Sequence, residues 1–304
     1  MSNVTVRGRA ALAVVAATFL VACSAGSSTR DRALDTRAPR PDTPSSQLPA
    51  SPADVVAPRD ADAVAATLTR VERAIRANEY DAARSPAWGW LQQVAYGVLA
   101  AHPEWLERVL VAVPADLRDP VRATHAAGAA LSAPDLGHAP VDLPDEPAEY
   151  PDWTIRTPRP PDELLRMYRE AEATFAIPWP YLAAIHFVET KTGRIHGNST
   201  AGAQGPMQFM PTTWAVYGAG GDIHDDHDAI LAAARYLSAS GGPADMRQAL
   251  LAYNPSDAYV AAITGYAEVM IAEPRAFHGF HAWQVFIATA DGDELLPEGW
   301  TRPT

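Results

Sequence analysis

Glu189 is the residue of this chain best placed for acid–base chemistry. It lies near the end of an apolar segment, three and four residues after His186 and Ile185, so it continues the apolar face of a predicted helix. A carboxyl held against apolar surroundings ionises less readily, which raises its pKa towards the range that a general acid needs at neutral pH. On this helix alone, a solvated glutamate at the helix end remains the alternative.

A polar amide follows Glu189 in an unusual setting. Gly202 and Gly205 permit a tight backbone, and Gln208 then stands among apolar residues just before a helix that Pro211 starts. A buried amide without a partner is costly, which favours a purpose for Gln208. Taken by itself, the segment also fits a glycine loop with a structural glutamine.

Several motifs occur in one order along the chain and together resemble the soluble lytic transglycosylase family, including its membrane-bound lipoprotein members. The resemblance covers roughly a third of the chain. The matching residues are Glu189, then Ser199-x-x-Gly202-Ala203-x-Gly205-x-Met207-Gln208-x-Met210-Pro211-x-x-Trp214, then Asp228-Ala229-Ile230 with Ala232-Ala233-Ala234-Arg235-Tyr236-Leu237, then Ala252-Tyr253-Asn254 with Tyr259-Val260.

The resemblance implies a mostly α fold, with a lysozyme-like catalytic domain that holds a deep groove for a glycan strand. It implies peptidoglycan as substrate, cut at the β-1,4 bond between N-acetylmuramic acid and N-acetylglucosamine. Glu189 would protonate the glycosidic oxygen and then, as carboxylate, take a proton from the muramic C6 hydroxyl. That hydroxyl attacks C1 and leaves a 1,6-anhydro end, while the N-acetyl group stabilises charge. We expect no cofactor and no metal.

The same resemblance assigns the other site residues. Ser199, Gln208, Met210, Tyr253 and Asn254 would line the groove, holding the sugar or orienting Glu189. Tyr259 matches a further groove tyrosine, and the sequence leaves open whether Tyr253 or Tyr259 hydrogen-bonds Glu189.

Departures from the common family pattern bear on the subfamily. Thr190-Lys191-Thr192-Gly193-Arg194 replaces the usual serine and asparagine-proline, which is closer to the membrane-bound B-type branch. Pro206 stands where leucine is usual, and Pro255-Ser256 follows Asn254 where the family has Ala-Gly. These differences affect substrate details and leave the acid in place.

Two other functions remain open. A lysozyme-type hydrolase on the same fold would need a second carboxylate to activate water, and the first candidates after Glu189 are Asp222, Asp225 and Asp226. A non-catalytic peptidoglycan-binding lipoprotein would keep the groove without activity. The run from Asp222 to Asp228 also contains metal-ligand types, but we interpret Asp225 or Asp226 as the cap of a helix that begins near Asp228.

The elements around the site are helical in pattern. Residues 61–132 form an additional N-terminal helical region, which either stands as a separate domain or packs on the catalytic core. Residues 133–161 are proline-rich and predict a linker or a surface strap. Residues 162–290 form the catalytic domain, where Phe277, Phe280, Trp283 and Phe286 recur at threes and predict a last helix; residues 291–304 are expected to be a surface tail.

The N-terminus predicts a bacterial lipoprotein. A positive flank and a short apolar run precede Leu20-Val21-Ala22-Cys23, which resembles a lipobox, so residues 1–22 are expected to be the signal peptide and Cys23 the lipidated residue. The alternative is a plain secretory signal. Residues 23–60 predict a disordered tether. The protein would then be extracytoplasmic, anchored to the cell membrane of the bacterial envelope, with cell-wall synthesis or division proteins as possible partners.

Composition excludes some classes of site. Cys23 is the single cysteine, so the chain has no intramolecular disulfide and no cysteine-based metal cluster. The formal net charge of −12 argues against nucleic-acid binding, because lysine and arginine supply most of the affinity for phosphates.

Overall fold

The computed structural model describes residues 48–77, 85–132, 151–289 and 292–303. The predicted signal peptide, Cys23, most of the tether and most of the proline-rich linker lie outside these residues. The described part of the tether, residues 48–60, contains one short 3-10 helix, Pro52–Asp54, and has no buried residue. None of the helices in the described ranges combines the length and the apolar character that a membrane span requires.

The described chain is mostly helical, as predicted. The helices are α1 Ala61–Arg76, α2 Ser85–Ala101, α3 Leu106–Ala112, α4 Ala115–Leu131, α5 Pro161–Phe175, α6 Trp179–Thr190, α7 Pro211–Tyr217, α8 Asp226–Ala239, α9 Met246–Tyr253, α10 Asp257–Ala272 and α11 Ala276–His281, with a 3-10 helix Pro103–Trp105 before α3. The strands are β1 Thr154–Ile155, β2 Ile195–His196, β3 Val285–Thr289 and β4 Gly292–Leu296.

Helix α6 is the central element of the fold. Its residues are buried on all sides except for the half-buried Tyr181, because α5, α8, α10 and α11 pack around it. A helix that is apolar around its whole circumference is stable only in such a position. Glu189 and His186 therefore lie in the interior because the apolar residues around them in α6 are buried.

The N-terminal helical region, α1 to α4, packs on the helices that follow residue 160. Helix α4 lies along α10, and α2 contacts α11, so that one hydrophobic core includes Leu68, Val121, Ile185 and Ile263. Between the two alternatives left by the sequence, the structure therefore shows packing on the core rather than a separate domain. Helix α10 receives α4 on one side and α6 on another, which fixes its position relative to Glu189.

The end of the chain differs from the prediction. The phenylalanine spacing predicted one helix through Phe286, but α11 ends at His281 and Phe286 lies in β3. Strand β3 pairs antiparallel with β4, which occupies part of the expected tail. Leu296 is fully buried, so burial of apolar residues after 291 holds this segment in place.

A second, smaller apolar cluster joins the strands. Strand β1, from the proline-rich segment, pairs with β2, which follows Glu189 closely in sequence, and Thr154 bridges to Thr301. The residues buried in this cluster are Trp153, Ile155, Ile195, Val285 and Leu296. The described end of the proline-rich segment, residues 151–160, is therefore a strap held against the domain.

Candidate active site

Glu189 occupies the last turn of α6 and is 4% exposed. The chain leaves the helix through left-handed backbone conformations at Lys191, Thr192 and Gly193, with φ of 53°, 59° and 86°. The N–H groups of Lys191 and Thr192 bond to Phe187 O and His186 O, which ends the helix. This tight turn keeps residues immediately after Glu189 close to its carboxyl group.

Burial makes Glu189 a weak acid. Removal from water raises its pKa to about 8, although the hydroxyl of Tyr259 and the charge of Lys191 both act to lower it. The carboxyl is consequently protonated at neutral pH and can donate its proton. The sequence prediction of a raised pKa agrees with this result.

Tyr259 is the tyrosine that contacts Glu189. Its hydroxyl donates to Glu189 Oε1 at 2.8 Å, and the side chain is fully buried on α10. Tyr253, at the end of α9, donates instead to Met207 O at 2.6 Å. The two rings lie nearly parallel, at 6° with centroids 6.4 Å apart, so Tyr253 supports the ring that orients the acid.

Lys191 is a site residue that the sequence analysis did not single out. Its side chain is 2% exposed, and its ammonium lies 4.6 Å from the centre of the Phe187 ring. Burial lowers its pKa to about 8, against the opposing effect of the Glu189 charge. A signal was present in the sequence: of the 24 lysine and arginine residues, Lys191 is the single lysine.

The predicted glycine segment forms a compact loop beside the site. Ser199 Oγ accepts from Ala203 N at 2.9 Å, and Gln208 Nε2 donates to Gly205 O at 2.8 Å and Gly197 O at 3.3 Å. A Cβ on Gly205 would lie 1.8 Å from Ile223 O, so only glycine fits this contact. Ser199 and Gln208 thus hold the loop itself, with exposures of 8% and 9%.

Thr190 connects this loop to helix α6. Its Oγ1 donates to Pro206 O at 2.7 Å and accepts from Gly193 N at 3.1 Å. Because Thr190 follows Glu189 directly, the loop and the acid are held in one fixed relation.

Met210 and Asn254 complete the predicted set. Met210 is half-buried and directly precedes α7. Asn254 is 3% exposed, and its Nδ2 has no hydrogen-bond partner within the described ranges. A buried amide donor without a partner is costly unless a ligand satisfies it.

The acidic segment before α8 is used for structure. Asp225 is the helix cap, accepting from His227 N and Asp228 N, so of the two predicted caps it is Asp225. Arg159 bonds Asp225 at 3.2 Å, Asp226 at 2.8 Å and Glu163 at 2.7 Å. Asp225, His227 and Asp228 also place possible ligand atoms within 4.8 Å of one another, but Asp225 is already engaged by the helix end and by Arg159.

Asp226 contacts His186, which lies on helix α6. Asp226 Oδ1 lies 3.4 Å from His186 Nε2, and Tyr168 Oη lies 2.8 Å from His186 Nδ1. His186 and Tyr168 are both fully buried. His186 is thus a core histidine, with a polar group near each of its ring nitrogens.

Comparison with known families agrees with the family resemblance seen in the sequence. Residues 166–267, about a third of the chain, match a family model described as "Transglycosylase SLT domain". No curated protein matches the chain. No solved structure matches it either. The matched segment runs from α5 to α10 and contains Glu189, Tyr259 and the glycine loop.

Proposed function

We propose that the chain cleaves the MurNAc-β-1,4-GlcNAc bond of peptidoglycan with formation of a 1,6-anhydro-MurNAc end, and the match of residues 166–267 to the transglycosylase SLT domain supports this proposal. The family match establishes the coarser statement, a lytic transglycosylase-type domain with a lysozyme-like fold that acts on peptidoglycan. The observation that carries the finer proposal is the buried acid Glu189, held by Tyr259 and protonated at neutral pH.

In the first step, Glu189 donates its proton to the glycosidic oxygen as the bond from C1 to that oxygen breaks. The electron pair of the bond stays on the departing oxygen, which leaves as a hydroxyl group. A pKa of about 8 keeps Glu189 protonated at neutral pH, so that it can act as the acid in this step. Tyr259 and Lys191 then stabilise the carboxylate that remains.

In the second step, the Glu189 carboxylate takes the proton of the muramic C6 hydroxyl, and that oxygen bonds to C1. The proton returns to Glu189 and no water is consumed. Asn254 Nδ2, which is buried without a partner among the described residues, supports this proposal because a substrate carbonyl would satisfy it.

The carboxylates that a hydrolase would use have other partners. Asp225 caps α8, Asp226 lies between Arg159 and His186, and Asp222 Oδ1 accepts from His224 N. The two groups that perturb the pKa of Glu189 besides burial are Tyr259 and Lys191, neither of them a carboxylate. This arrangement favours the internal hydroxyl over an activated water as nucleophile.

The decisive experiment is mass spectrometry of peptidoglycan digested by the wild type and by Glu189→Gln. We expect muropeptides one water lighter than hydrolytic products from the wild type, and a rate lower by roughly 10²–10⁴-fold from Glu189→Gln. Reducing ends in the wild-type digest would instead identify a lysozyme-type muramidase. Glycan binding with no cleavage dependent on Glu189 would identify a non-catalytic wall-binding protein.

We also propose that the protein is anchored at the outer face of the cell membrane through acylated Cys23. The support is the sequence of residues 1–23, with its positive flank, short apolar run and small residues before the cysteine. Labelling with a radioactive fatty acid should mark the wild type and leave Cys23→Ser unmarked. Equal partition of both proteins into the soluble fraction would contradict the anchor.

A further inference from the structure

We propose that Lys191 is a positioning residue for the proposed reaction, whose buried ammonium, held at the end of α6 two residues after Glu189, stabilises the carboxylate formed when the proton has left. This inference rests on the proposed function, because it concerns how the same acid alternates between its two forms. It starts from a feature of composition, since the single lysine of the chain is buried two residues after the acid.

The backbone holds Lys191 at the end of α6, where its side chain is buried. It adopts a left-handed conformation at the C-terminal end of α6, and its N–H bonds to Phe187 O at 3.0 Å. Lys191 Nζ also lies 3.5 Å from Phe187 O, one of the terminal carbonyls of the helix. A cation at this end of a helix is favoured by the helix dipole.

The Phe187 ring fixes the ammonium from a further side. The distance of 4.6 Å from Nζ to the ring centre lies within the range of a cation–π interaction. Phe187 is itself held by the rings of Tyr266, Phe280 and Trp283 at centroid distances of 5.0–5.4 Å. The charge therefore has a defined position before substrate arrives, which is the condition for electrostatic stabilisation without rearrangement.

The groups that face the acid explain why a positive charge is useful. Tyr253 on α9 and Tyr259 on α10 are both buried, with pKa values raised well above the usual value, so both rings are neutral. Full burial of a lone carboxyl would hold its proton too tightly to release it. The hydroxyl of Tyr259 and the ammonium of Lys191 offset this effect, and the pKa of Glu189 remains at about 8.

Lysine suits this position better than arginine. Every other basic residue with a permanent charge in the chain is arginine, including the buried Arg194, which pairs with Glu298 at 2.6 Å. An ammonium is a compact point charge, whereas a guanidinium is a broad planar group that makes paired hydrogen bonds. A compact charge fits against the helix end and the Phe187 ring, and it stabilises the carboxylate of Glu189.

The single lysine makes a direct test possible. The protein labelled with ¹³C at lysine Cε gives one lysine signal, and its chemical shift followed against pH reports the pKa of Lys191. We expect a midpoint well below the ordinary value of about 10.4. In Glu189→Gln the midpoint should fall further, because the carboxylate that favours the charged ammonium is gone. Equal midpoints near the ordinary value in both proteins would overturn the proposal.

The kinetic test uses Lys191→Met, which keeps the length of the side chain and removes its charge. We expect kcat to fall about tenfold, and the alkaline limb of kcat/KM against pH to move up by about one unit, because Glu189 holds its proton more tightly. Lys191→Arg, which restores a charge, should return the limb towards its wild-type position. Thr192→Ala alters the same turn without changing charge and should leave the limb unmoved.

The outcomes separate this inference from the proposed function. If the wild type cleaves no glycan, the proposed function fails, while the signal of Lys191 still shows whether the two groups are coupled. If Lys191→Met does not fold, the comparison of wild type with Glu189→Gln by NMR still decides. A fall in kcat with an unchanged alkaline limb would show that Lys191 is structural, and the proposal would be wrong.

Discussion

Two carboxyl groups near α6, the buried Glu189 and the partly buried Asp226, have opposite acidities. Glu189 on α6 has a pKa raised to about 8, whereas the pKa of Asp226 on α8 is lowered from its usual value. Burial raises the pKa of both, so their partners decide the difference. Asp226 accepts a hydrogen bond from Arg159 Nε at 2.8 Å and lies 3.4 Å from His186 Nε2, and both partners act to lower its pKa. Glu189 has one neutral hydroxyl and one ammonium.

The comparison separates a proton donor from a structural anchor. Asp226 is kept ionised, so it ties the start of α8 to Arg159 and to the catalytic helix. Glu189 is kept protonated, which stores a proton where the chemistry needs it at a cost to stability. One turn of α6, from His186 to Glu189, connects these two environments.

The largest effect on stability is expected from removing the carboxylate of Asp226, the structural anchor of α8. Asp226→Ala leaves His186 Nε2 and part of Arg159 without their partner, and should lower the free energy of unfolding by about 2–3 kcal/mol. Urea denaturation measures this loss. Asp257→Ala is the matched control, because Asp257 is also the first residue of its helix and pairs with an arginine, but is 76% exposed. It should cost less than about 1 kcal/mol, and equal losses would remove the distinction.

The next effect concerns the pH dependence of stability. Glu189 has a folded pKa of about 8, above its unfolded value of 4.5, so the folded protein binds the extra proton and loses stability as pH rises between those values. Glu189→Gln lacks this loss. Between pH 5 and pH 8, its free energy of unfolding should therefore rise relative to that of the wild type by at least ~1.4 kcal/mol.

The anchor should show the reverse sign. Asp226 has a lowered pKa, so its stabilisation is present above its unfolded value of 3.8 and is lost as the pH falls through its folded pKa. Urea midpoints of the wild type, Glu189→Gln and Asp226→Ala at a series of pH values test both statements. Parallel curves for all three proteins would show that neither carboxyl has the environment described.

A smaller effect is expected from Tyr259→Phe, which removes the hydrogen bond to Glu189. We expect kcat to fall about tenfold and the alkaline limb of the rate to move to higher pH, because the carboxylate loses a donor. Rates measured between pH 5 and pH 10 give both quantities. Tyr266→Phe removes a buried hydroxyl from the same helix without a contact to Glu189, and it should leave the limb in place.

The smallest effect is expected from Tyr168→Phe. It removes the hydroxyl 2.8 Å from His186 Nδ1 and should cost about 1 kcal/mol of stability, with little change in kcat. Thermal unfolding and turnover on the same samples check this. A large loss of turnover at unchanged stability would mean that His186 takes part in the chemistry and not only in the anchor.

The sequence predicted the acid but not the anchor, for a physical reason. Helical spacing alone places Glu189 on the apolar face of α6, and the family resemblance assigns Gln208, Tyr253 and Tyr259 to the same site. The link from Asp226 to His186 spans 40 positions of sequence and depends on how α5, α6 and α8 pack, which no local pattern contains. The same holds for the choice of Tyr259 over Tyr253.

The β3–β4 pairing shows a different failure. Aromatic residues at every third position fit a helix, but Val285, Phe286 and Ile287 are also good strand formers. Their tertiary contacts decide which of the two structures they form. Val285 meets Leu296, a residue that was assigned to a tail. The apolar residues Leu295 and Leu296 therefore form a strand because an earlier segment, Val285 and Phe286, pairs with them.

The contact between Arg194 and Glu298 has a consequence for the order in which the protein forms. Arg194 lies in the turn just after the acid, and its partner stands 104 positions later. During synthesis the ribosome releases Glu298 long after α6 has left the exit tunnel. The turn behind Glu189 is thus completed only by a residue 104 positions later in the chain, and a translation product interrupted before Glu298 would carry an unfinished end of α6.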